Sequence, residues 1–276
     1  TRKEPDIPLF KTGIFRGTTT GSPILILFNN KDVDSSPYED TRFTPRPGQA
    51  DFTAFHKYGG FNDYRGGGPF SGRLTAGLVA AGVIAKKIIE LAKVEARLIE
   101  AGGSKDIADA VEKAIQRKES IGGIVECEVA GLPIGLGEPF FDSVESLISH
   151  IVFAIPAVRG IEFGTGFAAA AMTGKEHNDE FINVQGATRT NYAGGVNGGI
   201  TNGNNILFRI AVKPTSSIKT AQQTIDMRTG DDAVITVKGK HDVCIALRVP
   251  VIVEAVTAIV CADLMLIEQG IGRIVR

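Results

Sequence analysis

A chain of 276 residues, 43% hydrophobic and 22% charged, has an ordinary globular composition and length for one large domain or two small ones. Its formal net charge of −1 excludes the strong overall field with which basic proteins engage nucleic acid or membrane surfaces, so any anion site must be built locally. The three cysteines, Cys127, Cys244 and Cys261, lie far apart without a CxxC pair, which argues against a disulfide framework or a metal site and for buried thiols in a reducing compartment.

The chain opens at Thr1 without a signal peptide. No run of 18 uninterrupted apolar residues predicts a membrane span. Residues 23–28, Pro-Ile-Leu-Ile-Leu-Phe, predict a buried strand closed by the turn Asn29-Asn30-Lys31-Asp32. Residues 33–50 are polar and proline-rich and read as loop. From Thr75 to Ala101 the spacing of Leu78, Ala81, Ile84, Ile88 and Leu91 predicts one long helix, stopped by Gly102-Gly103. Ser104 is the expected N-cap of a second helix reaching Lys118.

Residues 123–130 alternate, with Val125, Cys127 and Val129 on one face and Glu126 and Glu128 on the other, as a half-buried strand does. The Asp142-x-x-Glu145 spacing of a capping box opens a helix over 143–155 that Pro156 ends. A short strand follows at 161–163. Residues 164–205, rich in Gly, Ala, Asn and Thr, predict long functional loops. Strands are expected at 206–212 and 233–238, and Pro250 suits the first residue of a closing helix to about Gln269. Mixed elements without regular βαβ alternation predict an α+β fold.

One stretch concentrates chemistry. Residues 42–75 hold Arg42, Arg46, Arg65 and Arg73, the run Gly66 to Gly68, and Ser71 just before an apolar helix. Glycines allow close backbone approach, a helix start presents free N–H groups, and arginines bind oxyanions bidentately. A solvated glycine-rich loop fits the same residues. Lys213-Pro214-Thr215-Ser216-Ser217 offers one cation and three hydroxyls after an apolar strand, which suits a phosphate or the polar edge of a flavin, or else a plain strand-end turn. His241-Asp242 reads as a structural pair or a catalytic one. His177-Asn178-Asp179 reads as a loop turn, since one histidine and one carboxylate do not make a metal site. No strand precedes a G-x-G-x-x-G, which excludes a simple nucleotide-dependent dehydrogenase.

Read in order, several stretches resemble the chorismate synthase family. They are Arg-Lys-Glu-Pro-Asp at 2–6, Gly-Thr-Thr-Thr-Gly-Ser-Pro-Ile at 17–24, Arg-Pro-Gly-Gln-Ala-Asp-Phe-Thr at 46–53, and Asp-Tyr-Arg-Gly-Gly-Gly with Ser71 and Arg73. Gly-Leu-Gly-Glu-Pro-Phe-Phe-Asp follows at 135–142, Ile-Pro-Ala-Val-Arg-Gly-Ile-Glu-Phe-Gly at 155–164 and Gly-Gly-Val-Asn-Gly-Gly-Ile-Thr-Asn-Gly at 194–203. Lys-Pro-Thr-Ser-Ser-Ile at 213–218 and Lys-Gly-Lys-His-Asp-Val-Cys at 238–244 close the series. Two departures stand out. The family's N-terminal Gly-Glu-Ser-His-Gly segment, with one of two functional histidines, is not among these residues, so the chain is expected to be N-terminally incomplete. The second histidine belongs to Arg-Pro-Gly-His-Ala-Asp, where this chain has Gln49.

The resemblance implies a β-α-β sandwich, with antiparallel sheets enclosing helices, as one domain over residues 1–276, assembled as a cytoplasmic homotetramer. It implies the 1,4-elimination of phosphate from 5-enolpyruvylshikimate 3-phosphate to give chorismate, the last common step of the shikimate pathway to aromatic amino acids. The implied cofactor is FMN in its reduced form, with NADP as an associated nucleotide and no metal. Catalytic roles fall to Asp242, to Gln49 by position, and to Ser71. Contacts to FMN fall to Pro69, Phe70, Ser71, Pro156, Ala157, Gly198, Lys213, Pro214, Thr215, Ser216, Ser217 and Lys240, and contacts to the substrate to Arg46 and Arg73. The runner-up is a catalytically weakened paralogue that binds flavin or a phosphorylated metabolite. A glutamine hydrogen-bonds but does not titrate near neutral pH, so binding with poor turnover is expected.

Overall fold

The computed structural model describes residues 5–31, 34, 36–39, 41–237 and 241–270. In chain order the strands and helices are β1 (Pro8–Thr12), β2 (Ile14–Phe15), β3 (Thr18–Thr19), β4 (Leu25–Phe28), α1 (Ser36–Glu39), α2 (Asp51–Lys57), α3 (Thr75–Ile88), β5 (Lys93–Ala101), α4 (Ile107–Arg117) and β6 (Gly123–Ala130). There follow α5 (Val144–Val152), β7 (Val158–Phe163), α6 (Gly174–His177), β8 (Val196–Asn197), β9 (Ile200–Thr201), β10 (Ile206–Val212), β11 (Gln222–Ile225), β12 (Asp232–Ile235) and α7 (Val249–Gly270). The chain divides into two compact units, one of Thr1–Ala80 with Ser216–Asp242, the other of Ala81–Thr215 with Val243–Arg276.

The second unit is built on an antiparallel sheet in the order β5-β6-β10-β7. Alternation decides which face is covered. Val125, Cys127 and Val129 of β6 and Ile206, Phe208, Ile210 and Val212 of β10 are buried, and Phe208 meets Phe163 of β7 at 5.5 Å between ring centroids. The other face carries a cross-strand charge ladder, Arg97–Glu126 at 2.8 Å and Arg209–Glu162 at 3.5 Å. Helix α7 packs on β5, β6 and α5. It is apolar nearly all round, with Val253, Val256, Thr257 and Ala258 fully buried, the signature of a core helix. A Cβ at Gly82 would overlap Ala255, so glycine lets α3 approach α7 closely. Glu254 of α7 accepts from Ala96 N–H at 3.1 Å and from Lys86 Nζ at 2.6 Å, anchoring an edge strand.

The first unit is assembled from hairpins: β1 with β4, β2 with β3, and β11 with β12. The last of these is tied to the 43–45 segment, since Met227 N–H donates to Phe43 O at 2.9 Å and Thr224 Oγ1 to Pro45 O at 2.6 Å.

Several sequence expectations are corrected. Residues 93–101 are strand rather than the end of a long helix. Lys93, Glu95 and Arg97 alternate with Val94, Ala96 and Leu98, and pairing with β6 favours that period. The cap of α4 is Asp106, which accepts from Asp109 N–H at 3.1 Å, not Ser104, and Lys118 ends it in the left-handed region. Ser143, not Asp142, caps α5 by accepting from Ser146 N–H at 3.1 Å. Residues 25–28 are half-exposed, with Leu25 and Leu27 open to solvent, so the buried-strand reading fails there. The region 245–268 is long and apolar enough to cross a membrane, with mean hydropathy 2.1, because a charge such as Glu254 breaks the run without lowering its average much; half of that stretch is buried inside the protein. Strands β1 and β11 and helix α2 carried no recognised signal. By contrast β6 and 206–212 match their expected bounds, and all three cysteines are free and buried.

Candidate active site

In the first unit, a turn from Arg46 to Asp51 is held by several polar contacts. Arg46 is 7% exposed. Its Nε donates to Asp51 Oδ2 at 2.7 Å and its Nη2 to Asp51 Oδ1 at 2.8 Å, while its backbone N–H donates to the same carboxylate at 3.0 Å. Nη1 donates to Ser217 Oγ at 3.3 Å. Burial alone would lower the Arg46 pKa, but the hydrogen bond and charge of Asp51 override it and hold the pKa above the ordinary value. The turn is closed by Gln49 N–H donating to Arg46 O at 3.1 Å. Gln49 Oε1 accepts from Ala50 N–H at 3.1 Å. Ser216 Oγ donates to Gly48 O at 2.8 Å. Arg46, Gln49, Ser216 and Ser217 therefore come together in one cluster.

Beside it lies a small, open cleft whose lining includes Tyr38, Arg42, Arg46, Asp51 and Tyr64. Arg42 lies over the rings of Phe43 and Tyr64, 5.0 Å from each centroid. The four arginines of this region separate by partner. Arg46 pairs with Asp51, Arg65 with Asp63 at 2.9 Å, and Arg73 with Asp6 at 2.6 Å. Among the described residues Arg42 pairs with no carboxylate. Arg65, exposed and bidentate on Asp63, is not poised on a ligand as its place in the sequence suggests.

The glycine run forms a 3₁₀ turn, Arg65–Phe70, rather than an open loop at a long helix start. Gly67 and Gly68 have φ of 82° and 46°, which a side chain disfavours. Pro69 and Phe70 are exposed at its end. Ser71 caps the next 3₁₀ turn, its Oγ accepting from Arg73 N–H at 3.2 Å. Asp242 is half-buried. Lys240 lies outside the described residues.

In the second unit, Ala157 sits at φ 74°, costly for a residue with a side chain, and its carbonyl accepts from Lys213 N–H at 2.9 Å. Pro156-Ala157 and Lys213 are thus held together. Thr215 Oγ1 is buried without a hydrogen-bond partner. Its carbonyl accepts from Ser120 Oγ at 2.7 Å. A buried orphan hydroxyl costs about 1–3 kcal/mol, so it is a natural place for a ligand's polar atom. Gly198 turns the β8–β9 hairpin at φ 63°, with open space where a Cβ would stand. Its neighbour Gly199 is closed in by Glu138 O and Ser143. The Lys213–Ser217 motif is divided between the units after Thr215.

These features test whether a flavin nucleotide fits. The unpartnered Thr215 hydroxyl and the Lys213 cation two residues before it are chemically suited to a phosphate or the polar edge of a flavin. Asp51 escaped the sequence reading, though a signal existed: an arginine destined for burial needs a carboxylate, and Asp51 is the nearest one following it. The His177–Asp179 loop is structural, with Asp179 accepting from Thr190 Oγ1, Tyr192 N–H and Ala193 N–H.

The family model described as chorismate synthase matches residues 1–103 and 91–266. A chorismate synthase of Chitinophaga pinensis is 60% identical over 276 residues, spanning all of this chain and 83% of that protein. One from Pyrococcus abyssi is 44% identical over 296 aligned positions, covering 97% of this chain and 83% of its own length. A crystal structure of chorismate synthase superposes with a TM-score of 0.74 at 24% identity over 95% of this chain and 79% of that one, which establishes the α+β fold.

Proposed function

This chain belongs to the chorismate synthase family, and from that premise we propose how its residues carry out the reaction. Its function is that of chorismate synthase, a lyase of the shikimate pathway in aromatic biosynthesis. The substrate is 5-enolpyruvylshikimate 3-phosphate, which loses phosphate and a ring proton in a 1,4-elimination to give chorismate. Reduced FMN, when bound, lends electron density to the breaking C–O bond without net redox change. We further propose NADP association, a homotetrameric assembly, a cytoplasmic setting and a single functional domain over residues 1–276.

The observation that carries the flavin assignment is the orphaned Thr215 hydroxyl within Lys213–Ser217. By family membership we propose as cofactor contacts Lys213, Pro214, Thr215, Pro156, Ala157 and Gly198 in the second unit, and Ser216, Ser217, Pro69, Phe70, Ser71 and Lys240 in the sequence of the first. Arg46 and Arg73 bind the substrate's anionic groups, whose burial without cations would be prohibitive. Asp242 takes up the ring proton. Arginine N–H groups stabilise the negative charge that grows on the departing phosphate. Gln49 steadies an oxygen by donating an N–H but delivers no proton, so chemistry rather than binding is the weak step. The alternative of a weakened paralogue rests on that same glutamine.

Anaerobic incubation with substrate and reduced FMN, followed by the absorbance of chorismate, tests the reading. Chorismate forms in step with released phosphate. Binding of both ligands without any product supports the paralogue instead.

A further inference from the structure

We propose that Asp51 is a positioning residue for the phosphorylated substrate, acting through Arg46; the proposal rests on the substrate reading above. An arginine side chain has many rotamers, and bidentate contacts from a fixed carboxylate select one of them. Asp51 is such a fixed point. It is the first residue of α2, and its carboxylate accepts from the Arg46 backbone as well as from Nε and Nη2, at 3.0, 2.7 and 2.8 Å. Ser217, itself 6% exposed, takes a hydrogen from Nη1 at 3.3 Å. Three of the guanidinium's five N–H groups are thereby used. The remaining two lie one on each terminal nitrogen and are the donors left for an oxyanion, on a side chain that lines the cleft.

The charge balance makes this testable. Asp51 and Arg46 together are neutral, so what the pair offers an anion is oriented donors rather than net charge. Asp51→Asn raises the local charge by one. If charge alone governed binding, the variant would hold a phosphorylated dicarboxylate more tightly. Positioning predicts the opposite sign, because the asparagine N–H₂ group faces a donor and the fork is lost. Arg46 Nη1 joins the turn to Ser217, and Ser216 Oγ donates separately to Gly48 O at 2.8 Å.

The experiment is calorimetric titration of the full chain with 5-enolpyruvylshikimate 3-phosphate, for wild type, D51N, R46K and D51N/R46K. D51N is expected to weaken binding roughly ten- to hundredfold, the worth of charged hydrogen bonds. In the R46K background the same change adds less than about threefold, because the fork it positions is already gone. Asp51→Glu keeps the charge and shifts the carboxylate by one methylene, so it is expected to fall between wild type and D51N. Binding by D51N equal to or tighter than wild type overturns the proposal, as does full multiplication of the D51N and R46K effects. Should D51N fail to fold, wild-type affinity in D51E overturns it instead, and weakened affinity supports it. A wild-type chain that does not bind this substrate overturns both this proposal and the reading beneath it, whereas wild-type binding with an unaffected D51N overturns positioning alone.

Discussion

Thr215→Val separates stability from function with two opposite signs. The substitution keeps the shape and β-branching of the side chain and removes only the hydroxyl. Thr215 Oγ1 is buried and makes no hydrogen bond within the protein. Such a group carries a desolvation penalty of about 1–3 kcal/mol. Replacing it with a methyl group is therefore expected to stabilise the apoprotein by about 1 kcal/mol, a rise of roughly 2–4 °C in Tm for a chain of this size. If the hydroxyl serves FMN, the same change removes one hydrogen bond from the complex, about 0.5–1.5 kcal/mol, or roughly two- to tenfold in affinity. Thermal unfolding without flavin and fluorescence titration with FMN read the two effects independently. A lowered Tm shows that the hydroxyl is satisfied in the folded protein. An unchanged FMN affinity shows that it does not face the cofactor. Either result refutes the reasoning.

Two further predictions follow from the titrating groups. Burial pushes the thiols of Cys127 and Cys261 up to about 12, so iodoacetamide at pH 8 leaves both unmodified in the native protein and labels them once it is unfolded, as mass spectrometry of the peptides reads directly. The side-chain hydrogen bond from Arg228 lowers the Asp226 carboxyl to about 2. Because the folded value lies below the unfolded one, near 3.9, its contribution is present above pH about 4 and is lost as pH falls towards 2. Asp226→Asn therefore lowers the Tm at pH 6 and lowers it much less at pH 2; an equal loss at both values contradicts the assignment.

Much of the second unit was legible because burial and period agree there. Residues 123–130 and 206–212 alternate cleanly, and one face of each is buried. Lys93–Ala101 misled because its apolar residues satisfy helical spacing when read onward from α3 and strand alternation when read alone; pairing with β6, a non-local fact, chooses between them. Caps failed by a residue or two, since Asp106 and Ser143 compete with neighbours of the same chemistry. The site motifs were visible as residue types, but what they do depends on partners. Sequence groups four arginines together, whereas three are bound to Asp51, Asp63 and Asp6. That Thr215 keeps an idle hydroxyl, and that Ala157 is held at positive φ beside Lys213, follow from packing that no local pattern announces.

The central claim is that this chain eliminates phosphate from 5-enolpyruvylshikimate 3-phosphate with reduced FMN, held back at the position of Gln49. Single-turnover chorismate formation under anaerobic conditions, comparing wild type with Gln49→His, tests it most directly. The predicted result is slow product formation that requires reduced FMN and rises by about 10²-fold or more in the variant, the scale of a restored general acid or base. Rapid turnover by wild type with no gain from Gln49→His, or no chorismate from either protein, would contradict it.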